Sequence, residues 1–392
     1  MISTVEANYV IHLLSCAINE KQPIDPPKGI SFDGLLKFSK EHQVYNIIFP
    51  LIEGSEHLTA EERQAWQMAK LVETAKMVQM NDERKQIYRE LEKRGIRFME
   101  LKGLVIKNYY PRESMRQMSD NDLLYDAENC DAVYEIMKAR GYKVESSTKN
   151  SDDFTKPPYC MFEFHRELFF RGNQFNPNFS YVWGNAEKDP NYNCKYNMSR
   201  EDNYVYAVCH MYKHYITAGC GIRFLADTYL MVKKDGDVFD WNYINKKLTE
   251  FGIADFEKRA RELALKLFDP ENVFDMDTLS RDADGDSISD RQFLVAFLAH
   301  GLYNDPTLWH SYLLKQIYEK DDISVEKAKT KYFWRRVFPT KEKMVMDYKV
   351  LEKKPYLLPA YYIMRFFKMA AHPKKFVGEA ETVQKIKEKD KR

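Results

Sequence analysis

The sequence predicts an α+β protein: a compact segment of short strands and helices over residues 96–175, set between an N-terminal helical region, 1–95, and a mainly helical C-terminal region, 176–392. Three observations lead there. Before residue 95 and again after residue 200, apolar side chains recur at helical spacing. Between these regions the pattern changes to short alternating runs punctuated by glycine and proline. The 392 residues are 44% hydrophobic, 14% aromatic and 30% charged, enough apolar bulk for sizeable cores.

The elements follow in order. Val5–Ile18 places Val10, Leu13, Leu14 and Ala17 on one helical face, and Phe32–Lys40 and Val44–Ile52 are two shorter helices. Thr59 and Glu62 form a capping box, each side chain able to bond the other's backbone N–H, and a long helix follows to about Lys93. Its expected inner face is Met68, Leu71, Ala75 and Val78, and Gly95 ends it. Ile96–Leu101 alternates like a strand, Leu104–Tyr110 reads as a helix stopped at Pro111, and residues 112–119 form a polar loop. A second strand is expected over Asp120–Tyr125, a helix over Cys130–Arg140, a third strand over Tyr142–Ser146 and a strong one over Tyr159–Phe170. This order argues for a compact α/β or α+β core. After a polar stretch at 173–198, helices are expected over Arg200–Ala218, Ile222–Lys233, Phe239–Phe251, Ala254–Leu267 and Asp290–Asn304, then a Pro- and aromatic-rich region and a charged tail after Ala380.

Composition removes several classes. Sixty basic against 59 acidic residues leave a net charge of +1, unlike a dedicated nucleic-acid binder. Glycine is scarce, 15 residues, and neither G-x-G-x-x-G nor a P-loop occurs, so dinucleotide and Walker-type folds lose their support. The six cysteines never come closer than eleven positions, which excludes a C-x-x-C zinc or redox site. With no positively charged leader and no apolar run long enough for a membrane helix, the expectation is a cytoplasmic protein with reduced thiols and no membrane partner.

The chemistry centres on Asp120-Asn-Asp122. Carboxylates at i and i+2 of a strand share a face about 6–7 Å apart, a spacing that suits two divalent cations about 3.5–4 Å from each other. Glu163 on a later strand is the best third carboxylate. Hard Mg²⁺ takes oxygen ligands and bridges carboxylates to phosphates, so the set points to phosphoryl or nucleotidyl transfer. Gly103 lies where a strand turns into a helix, a natural phosphate cradle, and Lys102 and Arg116 add positive charge for a triphosphate. Taken alone, Asp-x-Asp also fits a solvated strand end.

At these residues the chain resembles the DNA-polymerase-β-type nucleotidyltransferase superfamily. More narrowly, it is similar to a largely uncharacterised bacterial nucleotidyltransferase family, through Leu101, Lys102, Gly103, Tyr110, Pro111, Arg116, Met118, Asp120, Asp122, Leu123 and Leu124. Glu163-Phe-His165 and the segment carrying His214, Gly219–Arg223 and Asp227 continue the resemblance. It implies a small mixed-sheet nucleotidyltransferase palm with helical flanks and two Mg²⁺ ions. Asp120 and Asp122 would ligate both metals, and Glu163 would hold one or act as base on the acceptor hydroxyl. The superfamily's Gly-Gly or Gly-Ser turn is Lys102-Gly103 here, which leaves Lys102 and Ser119 to do the missing hydroxyl's work. The implied reaction moves a nucleoside monophosphate from a nucleoside triphosphate, ATP among the candidates, to an acceptor hydroxyl on a small molecule, a protein or an RNA end, with release of pyrophosphate. The alternative is a catalytically silent relative that binds nucleotides or a partner.

Other residues carry weaker signals. His165 follows Glu163 on the same strand face, either orienting the site, touching substrate or simply packing. His210 and His214 are i, i+4 but lack the glutamate of a zincin, so a hydrolase built on His165, His210 and His214 is a third reading and a polar helix face the plainer one. Arg223 and Asp227, also i, i+4, form a helix ion pair on general grounds; the resemblance makes them a pair that fixes the helical domain beside the site. Asp282–Asp286 has its glycine at the wrong place for an EF-hand.

Overall fold

A computed structural model describes residues 3–169, 175–217, 219–279, 289–298 and 350–370, together with 324, 326, 327, 329–331, 334, 338 and 344. The Asp282–Asp286 run, the end of the helix expected over Asp290–Asn304 and the tail after Ala380 lie outside the described residues. The chain forms two compact units, Met1–Lys213 with Cys220–Leu302, and His214–Gly219 with Tyr303–Arg392.

The first unit opens with four helices, α1 (Thr4–Ile18), α2 (Phe32–Glu41), α3 (Tyr45–Ile52) and α4 (Ala60–Lys93). The Thr59–Glu62 capping box forms as expected. The buried stripe of α4 differs from the expected one. Met68, Leu71 and Val78 are 54%, 62% and 60% exposed, whereas Trp66, Ala69, Glu73, Met80, Glu83, Arg84, Ile87, Tyr88 and Leu91 are buried. The inner face includes charged residues because each finds a partner there. Tyr45 donates to Glu73, Tyr142, Arg140 and Lys156 bond Glu83, and Arg84 donates to Asn121. A hydrophobicity pattern cannot register such satisfied polar burial.

The core is a seven-stranded mixed sheet in the order β3-β4-β5-β2-β1-β7-β6. Its strands are β1 (Phe98–Glu100), β2 (Asn121–Tyr125), β3 (Lys143–Ser147), β4 (Ser151–Lys156), β5 (Cys160–His165), β6 (Glu187–Lys188) and β7 (Lys195–Asn197). β2 runs antiparallel to β1 and parallel to β5. The strand expected over Tyr159–Phe170 stops at His165, and β4 separates it from β3. Alternation sends Leu123, Tyr125, Phe162 and Phe164 to one face, where they pack with Ile87 and Leu91 of α4 and with Val133, Ile136 and Met137 of α6 (Cys130–Ala139). The opposite face of β2 and β5 is left with Asp122, Leu124, Glu163 and His165.

Between β1 and β2, the expected helix is one turn of α-helix, α5 (Gly103–Ile106), continued as a 3₁₀ turn to Tyr109. A short α7 (Val182–Asn185) precedes β6. Helices α8 (Arg200–Thr217), α9 (Arg223–Asp235), α10 (Trp241–Glu250), α11 (Ala254–Leu267) and α12 (Asp290–Leu298) follow. α9 is anchored to the segment after α5: Tyr109 donates to Asp235 at 2.6 Å, and Lys234 to the Asn108 carbonyl at 3.1 Å. In the second unit, α13 (Val350–Lys353) and α14 (Leu358–Ala370) flank a 3₁₀ turn at Pro355–Leu357. Among the described residues, no helix is long and apolar enough to cross a membrane.

Candidate active site

The site is built on two adjacent parallel strands. Asp122 pairs in register with Glu163, and Leu124 with His165. Neighbouring strands lie about 4.8 Å apart, so the two carboxylates stand side by side. His165 Nε2 reaches Asp122 Oδ1 at 3.0 Å and Glu163 Oε2 at 3.3 Å. Ligand atoms of Asp122, Glu163 and His165 all fall within 4.8 Å of one another, a grouping able to hold a metal ion.

A cation already occupies the middle of the grouping. Lys102 Nζ lies 2.6 Å from Asp122 Oδ1 and 3.4 Å from Glu163 Oε2. The backbone aims it there: Lys102 sits at φ 48°, ψ −119°, a left-handed conformation that costs a non-glycine residue about 1–3 kcal/mol. The turn is pinned to the site strand by Leu101 N–H donating to the Asp122 carbonyl at 3.0 Å. The ammonium is a stand-in ion for the positive charge this donor set accepts, so the residues fit a divalent cation.

The charges are tuned by burial and by one another. Burial works against the Lys102 ammonium, yet Asp122 and Glu163 raise it well above its ordinary range. Burial alone would raise Glu163; Lys102 and His165 instead hold it well below the usual carboxylate range. Burial disfavours a charged His165, but Glu163 and Asp122 raise it above its usual value. Asp120 is half-buried and falls just before β2 rather than within it; burial and the Asp122 carboxylate push it up to about 7.

The remaining expected residues take different places. Arg116 is buried and clamps Asp227 of α9 with two bonds, Nε to Oδ1 at 2.9 Å and Nη2 to Oδ2 at 2.8 Å. Tyr110 donates to the same carboxylate at 2.7 Å. The loop at 112–119 is thereby fixed to α9, and the carboxylate expected to serve Arg223 serves Arg116. Arg223 donates to the Gln117 carbonyl at 2.9 Å. Ser119 is exposed and accepts from Gln43 at 3.0 Å. His214 is buried and falls in the second unit. His210 lies on α8 with its ring 5.7 Å from Phe224.

Gly103 is needed at the turn for space. A Cβ there would stand 2.6 Å from Arg116 Nη1, and Arg116 cannot swing aside without breaking its pair with Asp227. Gly103→Ala is therefore expected to destabilise the protein by about 1–3 kcal/mol through overpacking. Urea unfolding checks this; an unchanged midpoint would show that Arg116 relaxes freely.

Two neighbours were missed in the sequence. Asp153 of β4 pairs in register with Glu163, extending the acidic row by one strand, and Ser146 donates to it at 2.7 Å. Burial pushes its carboxyl up, Ser146 opposes the shift and Glu163 adds to it. Tyr206 of α8 is buried, and its hydroxyl has no hydrogen-bond partner among the described residues. It feels the charges of Lys102, Asp122 and Glu163. Asp153 carries no signal beyond strand register, and Tyr206 none beyond being one aromatic among many.

A model of a family described as uncharacterised nucleotidyltransferase matches residues 28–269. A solved structure entitled as the antibiotic-resistance factor ANT(2'')-Ia is similar at 12% identity, over 46% of this chain and 91% of that one, with a TM-score of 0.33. No curated protein matches the sequence.

Proposed function

The chain belongs to the uncharacterised nucleotidyltransferase family, and from that premise we propose that it transfers a nucleoside monophosphate from a nucleoside triphosphate to an acceptor hydroxyl and releases pyrophosphate. The observation that carries this reading is the register of Asp122 against Glu163, with the cation of the strand-to-helix turn between them. Asp120, Asp122 and Glu163 would hold divalent metal, Mg²⁺ by the oxygen character of the set. When bound, the metal supplies Lewis-acid stabilisation of charge on the phosphates.

The chain's own residues divide the remaining work. Glu163, held ionised, suits a cation ligand and is a weak base. Asp153 beside it has the higher proton affinity, which favours it as proton acceptor for the attacking hydroxyl. Lys102 neutralises the carboxylates in the free protein. Were a metal to take its place between the carboxylates, the Lys102 ammonium would be free to meet the triphosphate beside the backbone N–H groups that start α5. His165 orients Asp122 through its Nε2 contact. Arg116, tied to Asp227, acts by holding the turn and the 112–119 loop in place.

The test is release of labelled pyrophosphate from each γ-labelled triphosphate with Mg²⁺ and cell extract, and transfer of α-label to an acceptor. Both are expected, and both should vanish without divalent metal. Triphosphate binding with no metal-dependent turnover would instead favour the silent nucleotide-binding reading.

Protonation sets the pH dependence. Asp120 keeps its proton up to about pH 7, so below that pH a proton competes with the cation. Mn²⁺ affinity of the nucleotide-free protein should rise as pH increases from 5.5 towards 7, and flatten above. Asp120→Asn should remove much of the slope. Titration calorimetry at several pH values measures it, and an affinity independent of pH would contradict the assignment.

A further inference from the structure

A second recess lies on the same face of the sheet, beyond His165. It is a cavity of about 500 Å³ whose floor includes Leu124, the residue one strand step past Asp122 and in register with His165. Its walls carry Phe169, Phe179 and Trp183, with Asn176, Asn178 and Ser180 between them. Tyr206 joins this recess to the acidic site. Its ring packs edge-on against Phe169 at 5.8 Å and against Phe179 at 5.7 Å, while its hydroxyl, without a hydrogen-bond partner among the described residues, feels Lys102, Asp122 and Glu163.

Direction along the strands assigns the occupant. The strand-to-helix turn at Lys102-Gly103 is at the Asp122 end of β2, since Leu101 N–H bonds the Asp122 carbonyl. The recess begins at the other end, at Leu124 and Arg166. In nucleotidyl transfer the attacking and leaving oxygens lie roughly in line through the phosphorus. If pyrophosphate leaves over the turn, the acceptor enters from the far side, which is this recess.

The lining selects the chemistry. Aromatic faces take up C–H surfaces, and amides and a hydroxyl bond to hydroxyl groups. Two charged residues line the recess: Arg166 is ion-paired to buried Asp152 and bonded to the Thr148 and Lys149 carbonyls, which commits it away from an anionic ligand, and the Glu167 carboxylate repels one. We propose that the recess is the acceptor site and that the acceptor is a neutral polyhydroxylated ring, a sugar or cyclitol, whose reacting hydroxyl is positioned by Tyr206. This rests on the nucleotidyl-transfer reading. In the step, the acceptor oxygen bonds the α-phosphorus, the bond from that phosphorus to the bridging oxygen breaks, pyrophosphate leaves, and the hydroxyl proton passes to Asp153.

Ligand-observed saturation-transfer NMR on the full chain tests this with methyl glucosides, methyl galactosides and myo-inositol as one set of probes and Mg²⁺–triphosphates as the other. At least one ring probe should receive saturation in the wild type. Trp183→Ala and Asn176→Ala, at half-exposed and exposed positions respectively, should weaken that probe by tenfold or more and leave triphosphate affinity within about twofold. Tyr206→Phe should keep both ligands and lower transfer to the ring probe in kcat rather than KM. Loss of triphosphate binding in Trp183→Ala and Asn176→Ala, or no saturation of any ring probe while triphosphates bind, overturns the acceptor assignment alone. Ring probes that bind a chain taking no triphosphate overturn the nucleotidyl-transfer reading and the acceptor role with it.

Discussion

Asp122→Asn is expected to lower nucleotidyl transfer by about 10³-fold or more, about 4 kcal/mol of transition-state stabilisation, while leaving the protein folded. Three interactions converge on this side chain. Lys102 lies at 2.6 Å, His165 at 3.0 Å, and Glu163 is its register partner. The amide nearly preserves shape but removes the charge that would hold a divalent ion and directs His165. Its effect on stability should be modest, since Lys102 keeps Glu163 as a partner. Labelled transfer assays alongside circular dichroism check both halves. A variant that retains a tenth of wild-type activity would show that Asp122 is not a ligand of the reacting centre.

The largest stability effect is expected at Asp227. This carboxylate receives two bonds from Arg116 and one from Tyr110, and both charged partners are buried, Arg116 7% and Asp227 4% exposed. Asp227→Ala strands the guanidinium without a counter-charge, which costs about 3–5 kcal/mol for a buried pair. The same pair joins α9 to the loop that precedes Asp120, so activity should fall in the fraction that stays folded. Replacing both partners by apolar residues, Arg116→Met with Asp227→Leu, should recover much of the stability, because no lone charge remains. Urea unfolding of the two single variants and the double variant measures the coupling. A loss below about 1 kcal/mol in Asp227→Ala would place the pair among weak surface bridges.

Legibility in the sequence followed chemistry that local pattern can encode. Phe162, Phe164 and the Glu163 and His165 between them alternate along β5, so that strand and the common face of Glu163 and His165 could be read directly, whereas Asp120, expected to share a strand face with Asp122, lies just before β2. The Thr59–Glu62 cap and the Gly95 stop were equally local. β4 was not legible, because Ser151–Lys156 is mostly polar and its place is set by pairing with β5; Asp153 was hidden with it. The inner face of α4 was misread for the same reason: Glu73, Glu83 and Arg84 are buried against partners far along the chain. The Arg116–Asp227 pair spans 111 positions, and helical spacing pointed instead to Arg223, four residues from Asp227. The position of Lys102 between the carboxylates depends on one left-handed backbone conformation, which no propensity announces at a lysine.

In the proposed reaction Asp120, Asp122 and Glu163 would together hold divalent cations against a triphosphate. The most direct measurement is a crystal structure with Mn²⁺ and a non-hydrolysable triphosphate, read by anomalous scattering. Anomalous peaks bridging these carboxylates and the phosphates, with Lys102 Nζ withdrawn from Asp122, are the expected result. A triphosphate bound elsewhere, or Lys102 still seated between Asp122 and Glu163 with no manganese beside them, would contradict it.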